Sequence, residues 1–258
     1  MPSTVITRIF LAVSTLGCSL AVLRFVWSGL SKRYRVLTLY LAFLAIDHIW
    51  PVVLPQKSAL YFYIWIVTEP VLRIFCVFGV LELYRLMLER YRGLYSLGRW
   101  VMYGGSLVSV IISLLMLLPH IKQNMPQKSV YLGYAYGFNR GVDFSLTIFI
   151  LLILVFLSQY PITLSRNLVV HASLYSIYFL SSGTYALVRH AIGGGSANTL
   201  NLVFSGIVAA CTVAWFFLLS PKGEEVKAAR IHFSPDYEER VLGKLEALNQ
   251  IMLKSAKS

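Results

Sequence analysis

Apolar positions along the chain gather into seven long runs, at 5–30, 36–54, 61–92, 100–118, 138–160, 167–190 and 199–219. Short polar segments separate them, apart from one longer polar stretch containing Pro and Gly at 119–137. Each run is close to or above the roughly 18 residues that an α-helix needs to cross a bilayer. The pattern predicts an all-α, polytopic integral membrane protein: a seven-transmembrane-helix bundle over 1–220, with a loop at 119–137. Small residues recur every four positions in two runs, Gly105, Ser109 and Ser113 in the fourth, and Ser205 with Ala209 and Gly206 with Ala210 in the seventh. That spacing lets a neighbouring backbone approach closely.

The pattern changes in the predicted cytoplasmic tail, 221–258. Residues 222–231 are polar, whereas 236–253 read as an amphipathic helix with Val241, Leu242, Leu245, Leu248, Ile251 and Met252 on one side. Ser234, Pro235 and Asp236 supply a start signal, and Glu238 and Glu239 suit the first turn. A helix of this length is marginal alone in water, so its apolar stripe needs a surface. The inner membrane interface, the bundle, a second copy and a protein partner all qualify. Mixed charges favour docking to protein over anchoring to lipid, because membrane-surface helices are usually rich in Lys and Arg.

Composition agrees with the pattern. The chain is 57% hydrophobic and 13% charged, against roughly 25% charged in soluble domains. The first run is too long for a signal-peptide core, so a retained first helix is expected. The net charge of +12 sits mostly before Pro221, where sixteen Lys and Arg face five Asp and Glu; beyond it seven face six. Such an excess suits anionic headgroups of the lipid bilayer, and nothing points to nucleic acid. Nine basic residues flank the loops after the first, third and fifth runs: Arg24, Lys32, Arg33, Arg35, Arg85, Arg90, Arg92, Arg99 and Arg166. Six lie on the other side, so the bias predicts an outer N-terminus and a cytoplasmic C-terminus, in a plasma or bacterial inner membrane. Cys18, Cys76 and Cys211 fall inside predicted helices, without metal-ligand spacing, and neither a disulfide, a metal nor another cofactor is expected.

The most informative positions are ionisable groups deep inside apolar runs, where they are costly unless they face a protein interior and have partners. Asp47 and Glu69 both fall roughly halfway across, with His48 beside Asp47. Arg73 lies four residues beyond Glu69, on the same helical face, and Pro70 between them frees a backbone carbonyl one turn earlier. Asp47 also reaches Arg73 if the second and third helices are neighbours. In the fifth run Arg140, Asp143 and Thr147 share one face, and in the sixth His171, Tyr175, Tyr178, Ser182, Tyr185 and Arg189 form a polar and aromatic stripe. These residues are expected either to line an outward-opening cavity for a small-molecule ligand or ion, or to clamp the bundle in register.

A second polar face on the third run, Glu82, Arg85, Glu89, Arg90 and Arg92, is placed at the cytoplasmic end as a partner-binding face. Glu89-Arg90-Tyr91 resembles the acidic-Arg-Tyr motif of rhodopsin-type G-protein-coupled receptors. The rest of that pattern is absent: the sixth run lacks Trp and Pro, the seventh lacks Asn-Pro-x-x-Tyr, and the disulfide cysteines are missing. The last run has no lysine for a retinal Schiff base, and no histidine pair stands four residues apart as zinc-dependent membrane hydrolases need. The tetrapeptide Pro-Gln-Lys-Ser, at 55–58 and again at 126–129, reads as turn chemistry. Two function classes follow. One is a non-enzymatic sensor, receptor or membrane-complex subunit; the other is a secondary transporter for a small solute or proton using Asp47, Glu69 and Arg73.

Overall fold

The computed structural model describes residues 2–54, 58–89, 91–115, 127–159, 164–192, 197–225 and 235–255. Among them the chain is helical throughout, with no strand. The long helices are α1 (Pro2–Trp27), α2 (Arg35–Asp47), α4 (Ala59–Met87), α5 (Arg92–Leu115), α6 (Gln127–Gln159), α7 (Arg166–Ile192), α8 (Ala197–Leu218) and α10 (Pro235–Ser255). Two single-turn helices, α3 (Trp50–Val53) and α9 (Lys222–Glu225), follow α2 and α8. Five segments among the described residues are long and apolar enough to cross a membrane: Val5–Trp27, Arg35–Val53, Ala59–Met87, Gly133–Val155 and Thr199–Leu218. The chain is thus built as an integral membrane protein. Helices α5 and α7 are not in that set, and α7 carries Asn167, His171 and several serines along its length.

Three boundaries differ from the sequence reading. Helix α4 stops at Met87, so Leu88 and Glu89 form a turn and Arg92 opens the next helix. The reason is local: Leu88 N–H closes the last turn on the Tyr84 carbonyl, and Tyr91 N–H then turns back to the Leu88 carbonyl. Helix α6 begins at Gln127, so the second half of the expected loop is helical and Gln127, Lys128 and Ser129 open a helix. The second run breaks at His48 and restarts as α3, with Pro51 in the first turn, where its missing N–H costs nothing. Helix α4 continues unbroken through Pro70, and Ser58 caps its start by accepting from Tyr61 N–H at 3.1 Å.

Neighbouring helices form a ring, α1–α2–α4–α6–α7–α8 and back to α1, with α5 packed on α6 and α4 also touching α7. The end at which α1, α4 and α8 finish and α2, α5 and α7 begin is called basal here, and the other apical. Side chains point apolar in both directions. Phe25, Leu37, Leu41, Leu83, Leu146, Ile150 and Leu219 are fully buried, while Leu16, Leu20, Val67, Leu107, Leu152 and Leu180 stand exposed on the perimeter, as in a bundle whose solvent is lipid.

Close approach between α5 and α6 rests on Gly141, where a Cβ would come within 2.7 Å of Val110 Cα. Ser109 Oγ donates to the Gly141 carbonyl at 2.8 Å, and Ser106 meets Ser145 at 2.9 Å. Gly105, expected to take part, faces open space. On α8, Gly206 lies against Phe10 of α1, and Gly17 of α1 lies against Thr212. The tail helix α10 docks on α5. Leu245 is fully buried, and Asn249 Oδ1 accepts from Gly93 N–H at 2.7 Å, satisfying a donor at the start of α5 that no carbonyl of that helix can reach. Met252 packs on the same spot, half-buried. The side chains of Val241 and Leu248 lie outside the described residues.

Candidate functional site

The i, i+4 spacing of Glu69 and Arg73 on α4 becomes an ion pair, with Arg73 Nη2 2.9 Å from Glu69 Oε1. The other arm of the guanidinium reaches α6, where Arg73 Nη1 lies 2.9 Å from Asp143 Oδ1. Ser182 of α7 donates to the second oxygen, Asp143 Oδ2, at 2.5 Å. Asn139, one turn before Asp143, donates its Nδ2 to Glu69 Oε1 at 3.1 Å. Three helices therefore meet around the Arg73–Asp143 pair, α7 through its bond to Asp143, in a place where Asp143 is 2% and Arg73 8% exposed. A charge so deep persists only when paired and hydrogen-bonded. The pairing differs from one sequence expectation: Arg73 takes Asp143 as its second partner, not Asp47. Asp47 ends α2, half-buried beside Thr68 and Glu69 of α4. His48 follows it with a buried Nδ1 that has no partner. Arg140 is half-buried one residue past Asn139.

The α7 stripe divides in two. Ser182 joins the ionic cluster, and Tyr185 stacks on Phe204 of α8 at 5.0 Å. Farther toward the basal end, His171 and Tyr175 are fully buried among Tyr34, Tyr40, Phe179 and Trp215. Trp215 Nε1–H donates to His171 Nδ1 at 3.1 Å, which places the imidazole proton on Nε2. That Nε2 and the Tyr175 hydroxyl have no partners, while the Tyr40 hydroxyl lies beside Tyr178 and Cys76. Gly79 of α4 makes the room: a Cβ there would overlap the Tyr175 hydroxyl. Tyr178 lies between the two halves, 7% exposed. The side chain of Arg189 is outside the described residues.

At the basal end, Glu82 corrects its assignment to a surface face. It is buried, and its carboxylate accepts from Val36 N–H at 3.0 Å and Leu37 N–H at 3.2 Å. The first N–H groups of α2 have no carbonyl partner within their own helix and no side-chain cap, so a negative acceptor from α4 fills the need. Arg85 and Glu89 do stay at the surface. With Leu86, Leu88 and Tyr95 they line an open groove of about 390 Å³. Arg90 and the Arg92 side chain lie outside the described residues.

A second carboxylate hub was not foreseen. Glu224 of α9 takes Tyr34 OH at 2.5 Å, Asn167 Nδ2 at 2.7 Å, Ser165 Oγ at 3.4 Å and Arg33 Nε at 3.0 Å. Burial, then the bond to Glu224, raises the Tyr34 phenol above its ordinary range, which keeps it a donor. Asn167 also donates to the Ser220 carbonyl at 2.7 Å, and Gly223 leaves space for its amide. No local pattern marks Glu224, which sits in a polar segment. Asn139 was legible in principle, since it stands four residues before Asp143 on the same face.

Among the described residues no three His, Cys, Asp or Glu side chains come together to hold a metal ion, and the three cysteines are buried and unpaired with one another. The chain matches no protein-family model, no curated protein and no solved structure.

Proposed function

We propose that the chain is a seven-helix membrane protein with an outer N-terminus and a cytoplasmic C-terminus, acting as a non-enzymatic sensor, receptor or membrane-complex subunit. On this reading the apical end is outside, and the basal end, with its Arg and Lys clusters, is cytoplasmic. The observation that carries the reading is the filled layer of Tyr40, His171, Tyr175, Phe179 and Trp215, each 0 or 1% exposed, between the Arg73 cluster and the basal end. A site closed on one side by packed rings receives a ligand and returns it the same way. The Arg73–Asp143–Ser182 chain links α4, α6 and α7, so a ligand that competes for Glu69 or Asp143 has different affinity for clamped and released arrangements, which is what shifting a population requires. The Arg85–Glu89 groove and the α10 helix on α5 sit at the basal end of the same helices, positioned to pass that change to a cytoplasmic partner or a second copy.

A transporter reading draws on one observation, the partnerless Tyr175 and His171 polar atoms inside the same layer, which water or a proton would satisfy. The full chain in liposomes decides between them. Neither pH-gradient dissipation nor uptake across a panel of radiolabelled small solutes above empty vesicles is expected, and either flux overturns the receptor reading. Sidedness is checked in cells. Ser58→Cys should label with an impermeant maleimide, and Ser28→Cys only after permeabilisation, the native cysteines being buried.

A further inference from the structure

The cluster around Arg73 is not balanced. Glu69 and Asp143 bond the guanidinium, and Asp47 adds a third carboxylate beside Glu69. Even with Arg140 counted, three carboxylates outnumber two guanidiniums. In a low-dielectric interior an excess negative charge takes up a proton or draws in a positive counterpart. Asn139 gives a second, independent sign. It reaches into the cluster with its Nδ2 on Glu69, is 6% exposed, and carries its Oδ1 without a donor. The amide orientation follows from chemistry, because a carboxylate accepts and so faces the NH2. Besides an acceptor for the Arg73 Nε–H, the site therefore lacks a group with both positive charge and N–H or O–H donors.

We propose that the apical side of this cluster binds a small organic ammonium, with Glu69 and Asp47 meeting its charge and Asn139 Oδ1 accepting one of its N–H groups. This rests on the receptor reading above and names the ligand class of the same site. A bare metal ion fits poorly, since no three acidic, His or Cys side chains among the described residues come close enough to share one. An ammonium is larger and bridges more widely spaced acceptors. Trp65, four residues before Glu69 on the same face of α4 and half-buried, stands one turn nearer the apical end, where an indole face suits a cation. Asp143 and Arg73 close the inner end, so the ligand enters from the side on which Asp47 and Glu69 keep partial exposure.

The test is thermal unfolding of the full chain in nanodiscs at constant pH and ionic strength, titrated with butylamine, phenethylamine and putrescine. 1-Butanol and phenethyl alcohol serve as uncharged shape controls, and NaCl and KCl are exchanged against N-methylglucamine chloride. At least one primary amine is expected to raise Tm saturably while its alcohol does not. Asp47→Asn and Glu69→Gln should each weaken that response about tenfold or more. Should Glu69→Gln not fold, Asp47→Asn, at the half-buried edge, carries the comparison. No amine response, an equal response to Na⁺ or K⁺, or a response unchanged in Asp47→Asn overturns the proposal. These outcomes leave the flux and sidedness results untouched, so the ligand class and the receptor reading fail separately.

Discussion

Two carboxylate hubs hold the bundle, and they are satisfied to different degrees. At the basal end Glu224 gathers Arg33, Tyr34, Ser165 and Asn167, with one full positive charge and otherwise neutral donors. In the middle of the bundle Arg73 gathers Glu69 and Asp143, yet its own Nε and the Asn139 Oδ1 remain without partners. A buried network that meets its hydrogen-bonding capacity rigidifies the structure, whereas one left short is a place where something else binds or where the bundle yields. The difference separates a joint from a site, although both consist of acidic side chains tying three elements.

The comparison breaks most sharply at Asp143. Asp143→Ala removes the α6 partner of a buried guanidinium and frees Ser182, and should cost about 3–5 kcal/mol in denaturant unfolding. Asp143→Asn should recover part of that loss. At the basal hub, Glu224→Ala strands the Tyr34 hydroxyl and the Asn167 amide, with an expected cost of about 1–3 kcal/mol, because the stranded buried groups are neutral and the one charged partner, Arg33, is exposed to solvent. If Glu224→Ala proved costlier than Asp143→Ala, the central cluster would not be the tighter clamp. The smallest effect is expected at the tail. Asn249→Ala leaves the Gly93 N–H uncapped and should cost about 1 kcal/mol. Limited proteolysis of α10 should then quicken, with the membrane helices unchanged.

Ridge and groove positions explain why one expectation held and its neighbour did not. Glu69 and Arg73 pair because four residues on one helix fix their spacing whatever surrounds them. The second partner of Arg73 depends on how α4, α6 and α2 rotate against one another. That rotation is set by contacts such as Gly141 on Val110 and the Gly79 notch for Tyr175, which no periodicity reveals. Glu82 was legible as a charge at a helix end. Its duty as a cap for α2 was not, since the donor it serves lies forty-six residues away.

By itself the sequence determined an all-helical, lipid-adapted chain, the positions of most helix cores, the Glu69–Arg73 pair and the amphipathic character of the last helix. Apolar content and helical spacing are local properties, and hydrocarbon leaves the backbone no alternative but to bond within each span. Only the tertiary structure decided that Asp143 completes the cluster, that Glu224 locks the basal end and that α10 finds its surface on α5. Each of these joins residues distant in sequence, and their meeting depends on which small side chains let two helices approach.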